Sequence, residues 1–238
     1  ISAGLRAIPN SPEHVLSMQL SQVPSKLLCL FDTCPKNVEA DGPVDGTIAA
    51  AITGDFTLSY FRAKLSTPKA LFTAPAWFEK PLKLGPSSVA VEGDWAKQQL
   101  KLTQAMVQLE DTSITASADG TKRADGWYVT GNAETTRLNI EKAYKYWPIA
   151  LAPESRLWVT NKLKSGYAAK GTLKVNLTPE DIAADILPNK AITSVVDARE
   201  ITFEYLPGFP LVEKMNGMVY FTANTVKVDG SGGSLMTG

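Results

Sequence analysis

The chain has 238 residues, 44% of them hydrophobic and 20% charged, with 24 Lys and Arg balanced by 24 Asp and Glu. A zero net charge without a basic cluster excludes a nucleic-acid binder, which must neutralise phosphates, and equally a polybasic segment held on an anionic membrane surface. No apolar run approaches the roughly 18 residues that span a bilayer, and the length allows one large domain or two smaller ones.

Residues 1–6 lack an initiator methionine and the charged-then-apolar layout of a secretory signal. The last residues, 232–238, stop as another strand begins, so the expectation is a piece of a longer protein whose anchoring segment lies outside it. Up to about residue 66 the pattern is strand-like. Leu16, Met18 and Leu20 alternate with Ser17 and Gln19, Ile48, Ala50 and Ile52 follow Asp45-Gly46, and Phe56, Leu58 and Tyr60 follow Gly54-Asp55. Asp-Gly and Gly-Asp pairs are turn signals. Leu27, Cys29 and Phe31 share a face, although Leu28 and Leu30 make the opposite face apolar too. Cys29 and Cys34, five residues apart across a turn, either close a small disulfide loop in an oxidising compartment or remain two free thiols. Two sulfurs without a neighbouring histidine leave a tetrahedral metal shell half empty. Pro68, Pro75 and Pro81 predict an irregular crossing over 67–85 with one short turn around Trp77-Phe78-Glu79.

From Gly93 to Gly131 a simple unit recurs: a strand after a glycine, a polar turn, and a returning strand. Leu100 and Leu102 sit on one parity, Val107 and Leu109 on the other, so a bulge near Gln104-Ala105 would bring them to one face. Ile140, Ala143, Tyr144 and Trp147 then form one face of a helix, with Asn139 as its N-cap and Pro148 as its stop. Pro153 opens a second helix to about Leu163, closed by Gly166. Leu173, Val175 and Leu177 alternate with polar residues as a strand, and Thr178-Pro179-Glu180-Asp181 reads as a capped third helical turn. Ile201, Phe203 and Tyr205 share one strand parity, and the hairpin grammar returns with Val219 and Phe221, then Val226 and Val228. The organisation is therefore a first β-repeat segment over 1–139, a helical insert over 140–166, and a second, truncated β-repeat segment over 167–238. The fold class is mainly β, built of antiparallel hairpin repeats with two or three short helices inserted.

Catalysis is not expected. His14 is the sole histidine and sits in a weakly patterned region, and no Gly-x-Ser-x-Gly elbow surrounds a serine. Of the adjacent carboxylates, Glu180-Asp181 is explained by helix capping, and Glu110-Asp111 is expected in a solvated turn. The glycines of 230–233 lack the lysine of a phosphate loop. No cofactor and no metal is expected.

The run Tyr146-Trp147-Pro148, Leu151-Ala152-Pro153 through Arg156, Trp158 and Leu163 to Gly166 resembles the central region of YhdP-type proteins of the AsmA-like superfamily of bacterial envelope proteins. Pro81-Leu82-Lys83-Leu84, and Phe203-Glu204-Tyr205-Leu206-Pro207-Gly208-Phe209-Pro210 before Met215-Asn216-Gly217, carry the same resemblance, which covers roughly 38–238. It implies a curved, elongated half-pipe groove and a periplasmic bridge, tethered to the inner membrane by an anchor outside this chain. Such a bridge would carry phospholipid between the inner and outer membranes of a Gram-negative cell, in contact with other envelope proteins. The acyl chains would then meet Leu100, Leu102, Val107 and Leu109 in the first segment. In the second they would meet Leu173, Val175, Leu177, Ile201, Phe203 and Tyr205, then Val219, Phe221, Val226 and Val228. Trp147 and Trp158 would gate that path or pack a helix on the sheet. The alternative is a non-catalytic structural or interaction module of the envelope, in which the same side chains form a closed β core.

Overall fold

A computed structural model describes residues 1–7, 14–26, 37–54, 57–149 and 151–235. Cys29 and Cys34 lie outside the described residues, as does Phe56. The chain begins as a meander in which successive hairpins add strands to one sheet. Its first members are β1 (Ser2–Ala7), β2 (His14–Pro24), β4 (Pro43–Ile52) and β5 (Leu58–Thr67), with the short β3 (Glu39–Asp41) between the second and third. After β5 the chain leaves this sheet for β6 (Ala70–Thr73) and β7 (Leu82–Leu84), which join β3 in a small three-stranded sheet with β6 at its centre. The crossing over 67–85 is thus not irregular, because Phe72 finds Ala40 on one side and Leu82 on the other. The expected turn does sit within it, where Trp77 and Phe78 both donate to the Ala74 carbonyl.

The meander resumes with β8 (Ser87–Asp94), β9 (Gln99–Gln108), β10 (Ser113–Arg123) and β11 (Gly126–Thr135). A two-residue strand, β12 (Leu138–Asn139), leads into α1 (Ile140–Tyr146) and α2 (Pro153–Lys162), the helical insert. Then follow β13 (Leu163–Leu177), α3 (Pro179–Ala183), a 3₁₀ turn over Asn189–Ala191, β14 (Ile192–Phe203), β15 (Val212–Thr222), β16 (Val226–Ser231) and β17 (Ser234–Leu235). The main antiparallel sheet holds 14 strands, in the order β1-β2-β4-β5-β8-β9-β10-β11-β13-β14-β15-β16, with β12 on β13 and β17 on β15. Its two end strands, β1 and β16, do not pair with each other, so the sheet stays open. It runs without a break through all three segments read from the sequence.

Local chemistry accounts for the helices. Asn139 occupies the N-cap position of α1, but its side chain makes no capping bond. Pro153 opens α2, which ends at Lys162 because Leu163 already pairs with Phe203 across the sheet. Gly166 therefore does not close the helix. It lies in β13 at φ +114°, packed against the carbonyls of Arg199 and Glu200, where a Cβ would collide. That site is a bulge, and Glu200 opposite takes φ +54°. α3 has the full capping box: Thr178 accepts from the Asp181 amide and Asp181 accepts from the Thr178 amide.

Candidate functional site

Because the strand period is two, the pairing registers decide which side chains share a face. In β9 the predicted bulge is present: Ala90 pairs with Gln104 and Val91 with Leu102, leaving Thr103 as the extra residue. Leu100, Leu102, Ala105 and Val107 consequently share one face. Following the partners outward, Leu102 meets Ala118, which meets Gly131, which meets Val175, which meets Ile192. Parallel to it, Val107, Ile114, Thr135, Gly171, Val196, Val219 and Val228 form a second row. In the other direction Leu102 faces Val91, then Ala63, Ile48 and Met18. One face of the sheet is thus apolar from β2 to β16.

The opposite face carries Lys101, Asp119, Glu134 and Lys170, joined in the cross-strand ion pairs Lys101–Asp119 (3.4 Å) and Lys170–Glu134 (2.9 Å). It also holds a hollow of about 820 Å³ bordered by Thr47, Lys64, Ser88, Gln104, Ser117 and Asn132. A strongly twisted sheet is locally concave on both sides.

The apolar face is covered in one part and uncovered in another. Over β14–β16 the helical insert lies on it. Ile201 (2% exposed), Val219 (8%) and Phe221 pack there with Val159 of α2, and Phe203, Val226 and Val228 join them. These six residues, expected to line a groove, pack beneath the insert, and all but Val226 also line a cavity there. Trp147 stands edge-on to Phe221 with ring centroids 5.7 Å apart, and its Nε1–H donates to the Leu151 carbonyl at 2.6 Å. Over β5–β11 the face is half-exposed, and Leu100 is 44% exposed. Here Phe61, Val91, Leu100, Leu102, Trp127 and Val129 border a shallow hollow of about 350 Å³. Leu173, Val175 and Leu177 on β13 are half-buried between the two regimes. Two expected members fall elsewhere: Leu109 is buried (4% exposed) in the turn after β9, and Tyr205 lies past the end of β14, exposed beside Phe209. Trp127, Phe61 and Val129 were not singled out as groove residues, although the Trp127-Tyr128-Val129 alternation carried the signal.

Beneath the insert lies a cavity of about 460 Å³ that reaches toward the uncovered stretch. Its floor includes Ile114, Ala133 and Leu173, which continue onto the uncovered face; its roof includes Trp147, Leu151 and Trp158. Apolar cavities of about 150 Å³ stay dry and accept a benzene, so this one has room for roughly three times that hydrocarbon. Both tryptophans pack helix on sheet and line the cavity at once.

Polar contacts anchor the insert at its rim. Asp111 is not in a purely solvated turn: it accepts from the Tyr146 hydroxyl at 2.8 Å and lies 3.4 Å from Lys142. Burial, and then this hydrogen bond to a carboxylate, push the Tyr146 phenol well above its usual range. Arg156 of α2 reaches Glu79 at 2.6 Å, and Ile149 donates to the Trp77 carbonyl. Among the described residues, no group of three or more His, Cys, Asp or Glu is placed to hold a metal, and no helix is long and apolar enough to cross a membrane. His14 is half-buried on β2, opposite Ile52. No family model, curated protein or solved structure matches this chain.

Proposed function

We propose that this chain is a segment of a periplasmic, bridge-like protein that binds phospholipid acyl chains along its apolar sheet face and passes them between inner and outer membranes. The inner-membrane anchor would lie outside the chain. The observation that carries the reading is the register. Side chains from eleven neighbouring strands, β2 to β16, fall on one apolar face, which is left half-exposed over β5–β11. An acyl chain gains about 0.8 kcal/mol per buried CH₂, so a continuous apolar track lowers the cost of moving a tail through water without any catalytic group. The resemblance of the Tyr146–Gly166 block to YhdP-type proteins supports the same reading.

The experiment is site-specific photocrosslinking with a benzophenone amino acid placed at Leu102 or Val129 on the apolar face and at Lys101 or Thr130 on the polar face. Lipid adducts detected by mass spectrometry at the first pair and absent from the second are the expected result. Adducts at neither position, in protein expressed in a bacterial envelope, refute it. The packing of Ile201, Val219 and Phe221 under the insert favours a second reading, a non-catalytic structural or interaction module. In that case the apolar positions would crosslink to protein and not to lipid.

A further inference from the structure

The insert holds a second hollow, of about 420 Å³, between α1 and α2. Ile140, Val159 and Leu163 line both this hollow and the apolar cavity below, so the two meet at those side chains. Their chemistry differs sharply. The cavity is hydrocarbon-lined, whereas the upper hollow presents Arg156, Glu79, Glu141, Tyr144 and Thr160. Arg156 spends one nitrogen of its guanidinium on protein: Nη2 donates to Glu79 at 2.6 Å and to the Tyr144 carbonyl at 3.4 Å, and Nη1 makes no hydrogen bond among the described residues. Its Nε is buried and has no hydrogen-bond partner among the described residues. A buried donor without a partner is costly, and the guanidinium keeps its full charge and a free Nη1 to donate to a phosphodiester oxygen. The hollow also has two carboxylates against one guanidinium, and Glu141, which is exposed, forms no ion pair among the described residues. A purely anionic headgroup would meet an uncompensated carboxylate there. A headgroup that carries an ammonium beside its phosphate would not.

We infer that the paired hollows seat one zwitterionic glycerophospholipid, its phosphate accepting from Arg156 Nη1, its ammonium at Glu141, and an acyl chain in the cavity beneath the insert. The inference rests on the reading of the apolar face as an acyl-binding surface and adds headgroup selection to it. The test incubates the purified protein with vesicles of equimolar phosphatidylethanolamine and phosphatidylglycerol, re-isolates it, and quantifies extracted lipid by mass spectrometry. Wild type should hold the ethanolamine lipid in excess by about fivefold, the size of one partly exposed charge contact. Glu141→Lys, at an exposed position that leaves the fold intact, should reverse the preference, and Arg156→Gln should lower total occupancy. Equal occupancy by the two lipids, or a ratio that Glu141→Lys leaves unchanged, overturns the headgroup inference while the acyl-binding reading stands. No lipid of either kind overturns both.

Discussion

A carboxylate placed on the apolar face should report whether a given stretch is covered, and the two regimes should answer differently by several kcal/mol. Val219 is 8% exposed between Val196 and Val228, under Val159 of α2. Val219→Asp forfeits most of a buried valine, about 1.5–3 kcal/mol. It also introduces an acid whose pKa the apolar surroundings raise by about 3–5 units, which at neutral pH costs about 4 kcal/mol, the limit set by protonating an ordinary aspartate at that pH. The total, about 5–7 kcal/mol, is comparable with the whole stability of a typical domain at about 5–15 kcal/mol. Val129 is half-buried on the uncovered stretch beside Leu100 and Trp127. Val129→Asp keeps its carboxylate wet and costs about 1 kcal/mol, roughly half of the buried-valine value. Urea denaturation followed by tryptophan fluorescence separates the two. Because the new acid at 219 has a raised folded-state pKa, its penalty grows with pH up to that folded value and shrinks as pH falls toward 4. A Val219→Asp variant as stable as wild type would mean that the insert does not seal this part of the sheet. Equal large losses at both positions would mean that the uncovered stretch is a closed core.

Three further outcomes follow from single contacts. Gly217→Ala should lower stability by about 1–3 kcal/mol in the same assay, because a Cβ there runs into the Asp229 carbonyl of β16 and must push that strand away. The Asp181 carboxyl is held below its ordinary range, chiefly by the Thr178 amide and then by its hydroxyl. The α3 cap therefore contributes fully above the usual aspartate pKa and is lost as pH falls through the depressed value, so amide exchange in α3 should accelerate in acid, and Thr178→Val should move that onset to higher pH. Tyr146 should remain a neutral phenol through pH 10 in an ultraviolet difference titration. Its raised folded-state pKa makes the Tyr146–Asp111 anchor fully present below about pH 10 and lost only as pH rises through the higher folded value, whereas a Tyr146 that titrates with the exposed tyrosines would refute the anchor.

The legible parts of this fold were those set by short-range chemistry. Period-two alternation marked Leu173–Leu177 and Ile201–Phe203 as strand, and the parity clash between Leu102 and Val107 located the β9 bulge. Thr178 and Asp181 announced their own capping box. What escaped was decided by partners distant in sequence. β6 and β7 have only four and three residues, too few to stand out without β3 beside them. The end of α2 was set by the Leu163–Phe203 pairing, which overrode helical continuation toward Gly166. Sorting a continuous apolar face into open and sealed stretches had no sequence signal at all, since Val219 and Val129 alternate with their neighbours in the same way. Only the folding of the insert back onto β14–β16 distinguishes them.

That back-folding turns on Trp147, which makes the insert's boundary testable as a binding property as well as a packing one. Trp147 is a large side chain lining the cavity between insert and sheet, fixed by its edge-on contact with Phe221 and its bond to the Leu151 carbonyl. Trp147→Ala removes about 3–5 kcal/mol of stability and widens the roof of the cavity. If the cavity accepts hydrocarbon, a soluble short-chain phosphatidylethanolamine at 100 times its dissociation constant should restore about 2.7 kcal/mol to each protein that binds it. The enlarged site should reach half of that recovery at a lower lipid concentration than wild type. Measuring the urea midpoint against lipid concentration for both proteins gives the comparison directly. Recovery in neither protein would identify the space under the insert as a packing defect of an ordinary core, and the uncovered stretch over β5–β11 would then be the sole place left for an acyl chain among the described residues.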